Sequence, residues 1–361
     1  MQICQRFLVG CCLVISLMAP LNAQAPAIQN ADLDVRPATG GLKAAIETLV
    51  GQSTDPVWIG YSVPMVPGDS QMCCFHGNGD SGCCRGCRLE ESGGDFQGTS
   101  RSQTVQLEPS RTLLVMVRAE AGQLDKLRAF SSECPLDAGG RRVYWLNGVE
   151  ARQSVDYLAG LVRASDWLQK QEKRIANGSL TAIAHHAGSD ADAVIADFLA
   201  PGRPARLRKQ TAFWLSSARG AHGFQTVRKA LRNDNDERFR AEAMFALSVS
   251  REGEAIDELI HFARNDASAR VRKQALFWLA QKAGKKAMST LTDAVEQDPD
   301  TQVKKQAVFA LSQLPKEEGV PLLIEVARKN RNPAVRKQAM FWLGQSNDPR
   351  ALQFFEEVLA Q

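Results

Sequence analysis

Two periods are superposed in the second half of the chain. Within short windows the apolar residues fall three and four positions apart, the spacing of a helix with one buried face. Over longer windows a whole string returns every 32 residues. Arg272-Lys-Gln-Ala-Leu-Phe-Trp-Leu279 has counterparts at Arg208 to Leu215, Arg240 to Leu247, Lys304 to Leu311 and Arg336 to Leu343. Thirty-two residues before Leu215, Val227 and Leu231 stand Ile183, Ile195 and Leu199, which marks a sixth, degenerate unit ahead of five clear ones. A fixed period of this length predicts a solenoid, in which each unit buries its apolar face against its neighbours. The array runs over 176–361. In the third clear unit the pattern predicts helices over 269–281 and 285–296, with Asp298-Pro-Asp300 turning into the next unit. The acids and asparagines of such turns, as at 233–236 and 265–266, suit the positive end of the following helix as N-caps.

The first half has a different texture. Residues 26 to about 55 are polar and mixed, with one short helix expected from Leu42 to Val50. Strand formers follow over 57–63, closed by Pro64 and Pro67. Residues 68–100 hold Gly, Ser, Asp and cysteines and cannot bury an apolar face, so they are read as a loop with covalent or metal ties. Further strands are expected over 102–107, 112–118 and 142–146, a helix over 123–130, and a turn at 137–140. This predicts a small cysteine-containing α+β domain over 26–150. A linking and capping helix follows over 151–175, its stripe formed by Val155, Leu158, Leu161, Val162 and Trp167. The expected class is therefore mainly α.

The phrase at 269–279 resembles the short HEAT-like repeats first noted in phycobilisome lyases. Their pattern is an acidic turn, Val-Arg, then Ala four residues after the Val and Leu four later; here Val271, Arg272, Ala275 and Leu279 occupy those positions. Leu207 and Phe239 replace the Val and Thr211 one Ala in other units. The markers of tetratricopeptide and ankyrin repeats are missing. The resemblance implies an α-α superhelix with one helix of each unit on an inner, concave layer. It implies no chemistry, because the family shares a scaffold.

On a helical wheel, Val271, Ala275 and Leu279 form the seam, with Trp278 at its edge. Phe277 and Lys273 fall on the far side, and Gln274 lies between the two faces. The same far side carries Lys209 with Phe213, Phe245, Lys305 with Phe309, and Lys337 with Phe341. These nine residues are the candidate protein-binding set. The competing reading is that the Phe ladder packs unit against unit, and the alternation Trp214, Ala246, Trp278, Ala310, Trp342 is expected to set that stacking. The first basic residue of each unit (Arg208, Arg240, Arg272, Lys304, Arg336) is expected to bond turn acids of adjacent units. The second, the lysine row, would attract an acidic partner.

Composition adds little until the N-terminus is considered. The 361 residues are 44% apolar and 23% charged with a formal net charge of +4, which gives no concentrated basic footprint for nucleic acid. Arg6, the apolar run from Phe7 to Leu21, and Ala23-Gln24-Ala25 read as an export signal over 1–23. The run is too short for a confident membrane span, so none is expected after cleavage. Export predicts a periplasmic or secreted bacterial protein and an oxidising setting for Cys73, Cys74, Cys83, Cys84, Cys87 and Cys134, which are read as disulfide-bonded. Zinc at Cys84-x-x-Cys87 with Cys73 or Cys74 and His76, or a thiol activity there, is the alternative. His185-His186 beside Asp190 and Asp192 is read as a polar helix end. Iron-binding hydroxylases built on similar repeats use His-Glu dipeptides, and none occurs here. No catalytic set, phosphate loop or cofactor motif is recognised. The expectation is a non-catalytic scaffold without a cofactor, holding a protein partner on its concave face.

Overall fold

A computed structural model describes residues 25–67, 87–90, 111–132, 135–167, 174–282 and 285–360. The expected signal, the strand expected over 102–107, and Cys73, Cys74, Cys83, Cys84 and Cys134 lie outside them. Cys87 enters only through its backbone, in a two-residue strand.

The first part is a mixed five-stranded sheet. Its strands are β2 (Asp32–Pro37), β3 (Val57–Pro64), β5 (Thr112–Glu120), β6 (Gln123–Ser131) and β8 (Arg142–Asn147), in the order β2-β8-β3-β5-β6. The pairs β2/β8 and β8/β3 are parallel, whereas β3/β5 and β5/β6 are antiparallel. Three two-residue strands, β1 (Ile28–Gln29), β4 (Cys87–Arg88) and β7 (Leu136–Asp137), make a small second sheet. Alternation sends Ile59, Tyr61, Val63, Val115 and Val117 to one face, where they meet α1 (Leu42–Gln52) and α2 (Ala151–Ala164). Trp58, Met116, Val143 and Trp145 go to the other, over Leu89 and Leu136. Gly60 is required between two of these: a Cβ there would stand 2.6 Å from Met116 Sδ and 2.8 Å from the Trp145 ring.

One expectation is overturned. Residues 123–130 form the edge strand β6, not a helix. Ala121 and Gly122 both have positive φ, 49° and 74°, which makes a tight turn whose twist lays the following residues along β5. Leu127, Ala129 and Ser131 then bury themselves on the helix side and Phe130 on the other. Charged residues between apolar ones mimicked a helical period on what is an edge strand. The strands β1 and β2 were not expected at all, because their residues are mostly polar and exposed.

The helical array follows in six pairs: α3 (Arg174–His185) with α4 (Ser189–Leu199), α5 (Ala205–Ala218) with α6 (Gly220–Asn233), α7 (Glu237–Val249) with α8 (Glu254–Asn265), α9 (Ala269–Lys282) with α10 (Lys285–Gln297), α11 (Thr301–Ser312) with α12 (Lys316–Lys329), and α13 (Pro333–Gln345) with α14 (Pro349–Leu359). The seam residues Val271, Ala275 and Leu279 are fully buried, as are Ile183 and Ile195 of the degenerate unit. The sheet closes the array at its first pair. Gly178 of α3 lies so near β6 that a Cβ would fall 2.1 Å from the Leu127 carbonyl oxygen. Val66 N–H donates to the His185 carbonyl and Ala187 N–H to that of Pro64, both at 2.9 Å. One apolar core therefore runs from α1 and the sheet through the whole array.

Candidate functional site

Adjacent residues on the first helix of each unit point into different worlds. In three units the arginine at the start of the recurring string reaches the turn after its own unit. Arg272 donates from Nε and Nη2 to both oxygens of Asp298, at 2.7 and 2.9 Å, and from Nη1 to the carbonyl of Asp266 at 2.9 Å. Arg240 does the same with Asp266 and the Asp234 carbonyl, and Arg208 pairs with Asp234. All six partners are largely buried. Where the basic residue is Lys304, position 330 is Asn, and the lysine instead donates to the Glu296 carbonyl at 2.6 Å. Among the turn residues, labour is mostly divided. Asp234, Asp266 and Asp298 hold the arginines of the recurring string, while Asp236, Asp300 and Asn332 cap α7, α11 and α13, and Asp348 caps α14 and also holds Arg350. The hydrogen bond to the N-cap side chain satisfies helix N–H groups that have no partner within the helix.

The far side of the same helices is the candidate site. The first helices α5, α7, α9, α11 and α13 pack along one another, whereas the second helices contact each other far less. Phe213, Phe245, Phe277 and Phe309 are half-buried there, and Phe341 is 53% exposed. Their rings form a continuous ladder with the tryptophans. Phe213 and Phe245 lie parallel at 5.6 Å and Phe277 and Phe309 at 6.3 Å. Phe245 meets Trp278 at 4.8 Å and Phe309 meets Trp342 at 5.1 Å. Within units, Trp214, Trp278 and Trp342 are set edge-on to Phe213, Phe277 and Phe341. Buried Ala246 and Ala310 make room at alternate levels. The packing and groove-lining roles thus coexist: one edge of each ring packs and the other is open.

The lysines flank this ladder. Lys209 is exposed and stands 4.0 Å from Glu242. Lys273, Lys305 and Lys337 have no ion-pair partner among the described residues. A surface depression of about 650 Å³ is lined by Arg270, Lys273, Gln274, Phe277, Trp278 and Gln306. Sequence reasoning assigned the tryptophans to stacking alone and gave the glutamines no role, although Gln210, Gln274, Gln306 and Gln338 recur at the same step. That recurrence was the available signal.

The His185-His186 pair is structural. Both side chains are buried at the junction with β3; His185 Nδ1 lies 2.9 Å from the Thr181 carbonyl and its ring is edge-on to Trp214. Burial pushes the His185 imidazole down to about 4, so it is neutral near pH 7. Asp192 holds Arg219, which donates to the carbonyls of Ala184 and His186 at 2.9 and 3.0 Å. Among the described residues no three potential metal ligands converge, and no helix is long and apolar enough to cross a membrane.

Residues 288–361 match the family model of HEAT repeats. The C-terminal helical repeats are HEAT-like. No curated protein matches the chain. Among solved structures, human deoxyhypusine hydroxylase in complex with glycerol is 20% identical, with 57% of this chain and 90% of that one covered and a TM-score of 0.29. YibA of Escherichia coli is 22% identical over 53% of this chain and 71% of its own, with a TM-score of 0.35. Kap121p bound to RanGTP is 13% identical over 54% of this chain and only 25% of its own, with a TM-score of 0.33. These likenesses are too distant to carry activity or partners across.

Proposed function

We propose that this chain is an exported, non-catalytic interaction protein that holds a protein partner on the concave face of its solenoid. The observation that carries the reading is the half-open aromatic ladder flanked by unpaired lysines. Exposed aromatic edges beside cations suit the buried anchors and polar rim of a protein interface. The lysine row favours an acidic partner. Export, with disulfides among the six mature cysteines, is supported by the N-terminal sequence pattern.

The test is capture from an envelope extract with the purified mature chain. A partner retained by the wild type and lost by the double variant Phe277→Ala, Lys273→Glu, with the melting curve unchanged, is the expected result. Retention of every captured protein by the variant refutes the groove reading. Intact mass under non-reducing conditions checks the export setting: six hydrogens fewer than the reduced form are expected for six paired cysteines.

A further inference from the structure

The glutamines of the inner face point to how a ligand is held. Gln210, Gln274, Gln306 and Gln338 recur in register one residue after each lysine of the row, and none has a hydrogen-bond partner among the described residues. A primary amide offers a donor and an acceptor side by side, the complement of a peptide unit's C=O and N–H.

The spacing selects the ligand's conformation. Neighbouring packed helices lie about 8–10 Å apart. A polyproline-II chain makes one turn of three residues in about 9.3 Å, keeps every third side chain on one side, and leaves its backbone groups unbonded. A strand does not fit this step, because its side chains alternate and residues three apart face opposite ways. Unit two breaks the row: Ala241 replaces the lysine and Glu242 the glutamine. A carboxylate there repels an acidic ligand and confines it to α9, α11 and α13.

We propose that the inner face of α9, α11 and α13 binds an acidic peptide segment in the polyproline-II conformation, three residues per unit. Gln274, Gln306 and Gln338 exchange hydrogen bonds with its main chain. Lys273, Lys305 and Lys337 meet an acidic side chain at every third position, and the aromatic ladder forms the floor. This rests on the interaction reading above and adds the form of the bound segment.

The test uses two fluorescein-labelled peptides of one composition: four Glu-Leu-Pro triplets, and an isomer with its glutamates irregularly spaced. Anisotropy is read with the full mature chain. The periodic peptide is expected to bind at least tenfold more tightly than the isomer. Gln274→Ala with Gln306→Ala should cost about tenfold and erase that preference, at an unchanged unfolding midpoint. Lys273→Glu with Lys305→Glu should abolish binding of both peptides. Equal binding of the two isomers, or a glutamine variant that binds like the wild type while the lysine variant does not, overturns the main-chain recognition and leaves the acidic-partner reading standing. Failure of the folded wild type to bind either peptide overturns both. A twelve-residue oligothymidylate that binds more tightly than the periodic peptide overturns the proposal in favour of single-stranded nucleic acid.

Discussion

Arg272 and Lys273 are neighbours on one helix, and the two sides they serve could hardly differ more. On the turn side the basic groups are answered: three arginines meet three aspartates, and Lys304, Arg336 and the spare N–H groups find carbonyls. On the far side, Lys273, Lys305, Lys337 and the glutamines that follow them stand beside open aromatic edges with no bonding partner among the described residues. The difference separates two jobs that one repeat performs. A buried charge left unpaired costs stability outright, so it is retained only where it is satisfied, whereas an exposed charge is tolerated without a partner because water solvates it. Saturated residues hold the units together; unsaturated ones are available to something else.

The comparison breaks first where saturation is removed. Asp298→Ala leaves the buried Arg272 guanidinium with only backbone acceptors and removes the acceptor of Asp300 N–H. Loss of one partner of a buried pair costs about 3–5 kcal/mol. Chemical denaturation should show this loss, with hydrogen exchange quickening first in α9 to α11. A change below about 1 kcal/mol would mean that the arginine ladder is decoration. Replacing both partners by apolar residues should recover much of the loss.

His185 gives the second test, because it carries saturation into the junction between sheet and array. Its folded-state value, held near 4 by burial, lies below the ordinary 6.5. The unfolded chain therefore takes up a proton that the folded one refuses. Stability is present in full above about pH 6.5 and falls as pH drops toward 4. The shift is worth roughly 3 kcal/mol across that window. His185→Phe should flatten this part of the stability profile, read as urea midpoint against pH. An unchanged slope would place the pH dependence elsewhere.

How much of this was legible follows from where the information lies. The 32-residue step marked Val271, Ala275 and Leu279 as seam and located the two helices of the third clear unit to within a residue, because repetition averages away local ambiguity. The arginine–acid bonding was legible for Arg208, Arg240 and Arg272, but Lys304, for which Asn330 stands in place of the acid, and Arg336 meet backbone carbonyls instead. Residues 123–130 were misread because an edge strand carrying Lys126 and Arg128 shows no clean alternation, and the Ala121-Gly122 turn that decides its fate is not a strong sequence signal. The coexistence of packing and exposure in each Phe was hidden, since a wheel gives direction and not the distance to the next unit's ring. The cap bonds were legible only in part: the acids were visible, and which acid caps a helix and which holds an arginine was not.

A cap is the third test, smaller because it lies at the exposed edge of the turn. Asp300 Oδ1 accepts from the N–H groups of Gln302 and Val303 at 2.6 and 3.1 Å. Asp300→Ala should cost about 1 kcal/mol, and Asp300→Ser should restore most of it. If alanine and serine behave alike, the side chain caps nothing and the neighbouring Asp298 alone orders the turn.

The smallest expected effect sharpens the comparison most. Lys273→Ala and Gln274→Ala remove residues that bond to nothing among the described residues, on the helix where Arg272 cannot be spared. Surface substitutions away from buried features change stability by no more than about 0.5 kcal/mol, and glutamine, lysine and alanine all favour helix. The double variant should therefore unfold at the wild-type urea concentration, while Asp298→Ala, which removes the partner of the adjacent Arg272, does not. A loss above about 1 kcal/mol would show that the inner face contributes to the fold, and its lysines and glutamines would no longer count as spare. Equality would leave them with no structural duty, and a recurring, in-register row without structural duty is what a recognition surface requires.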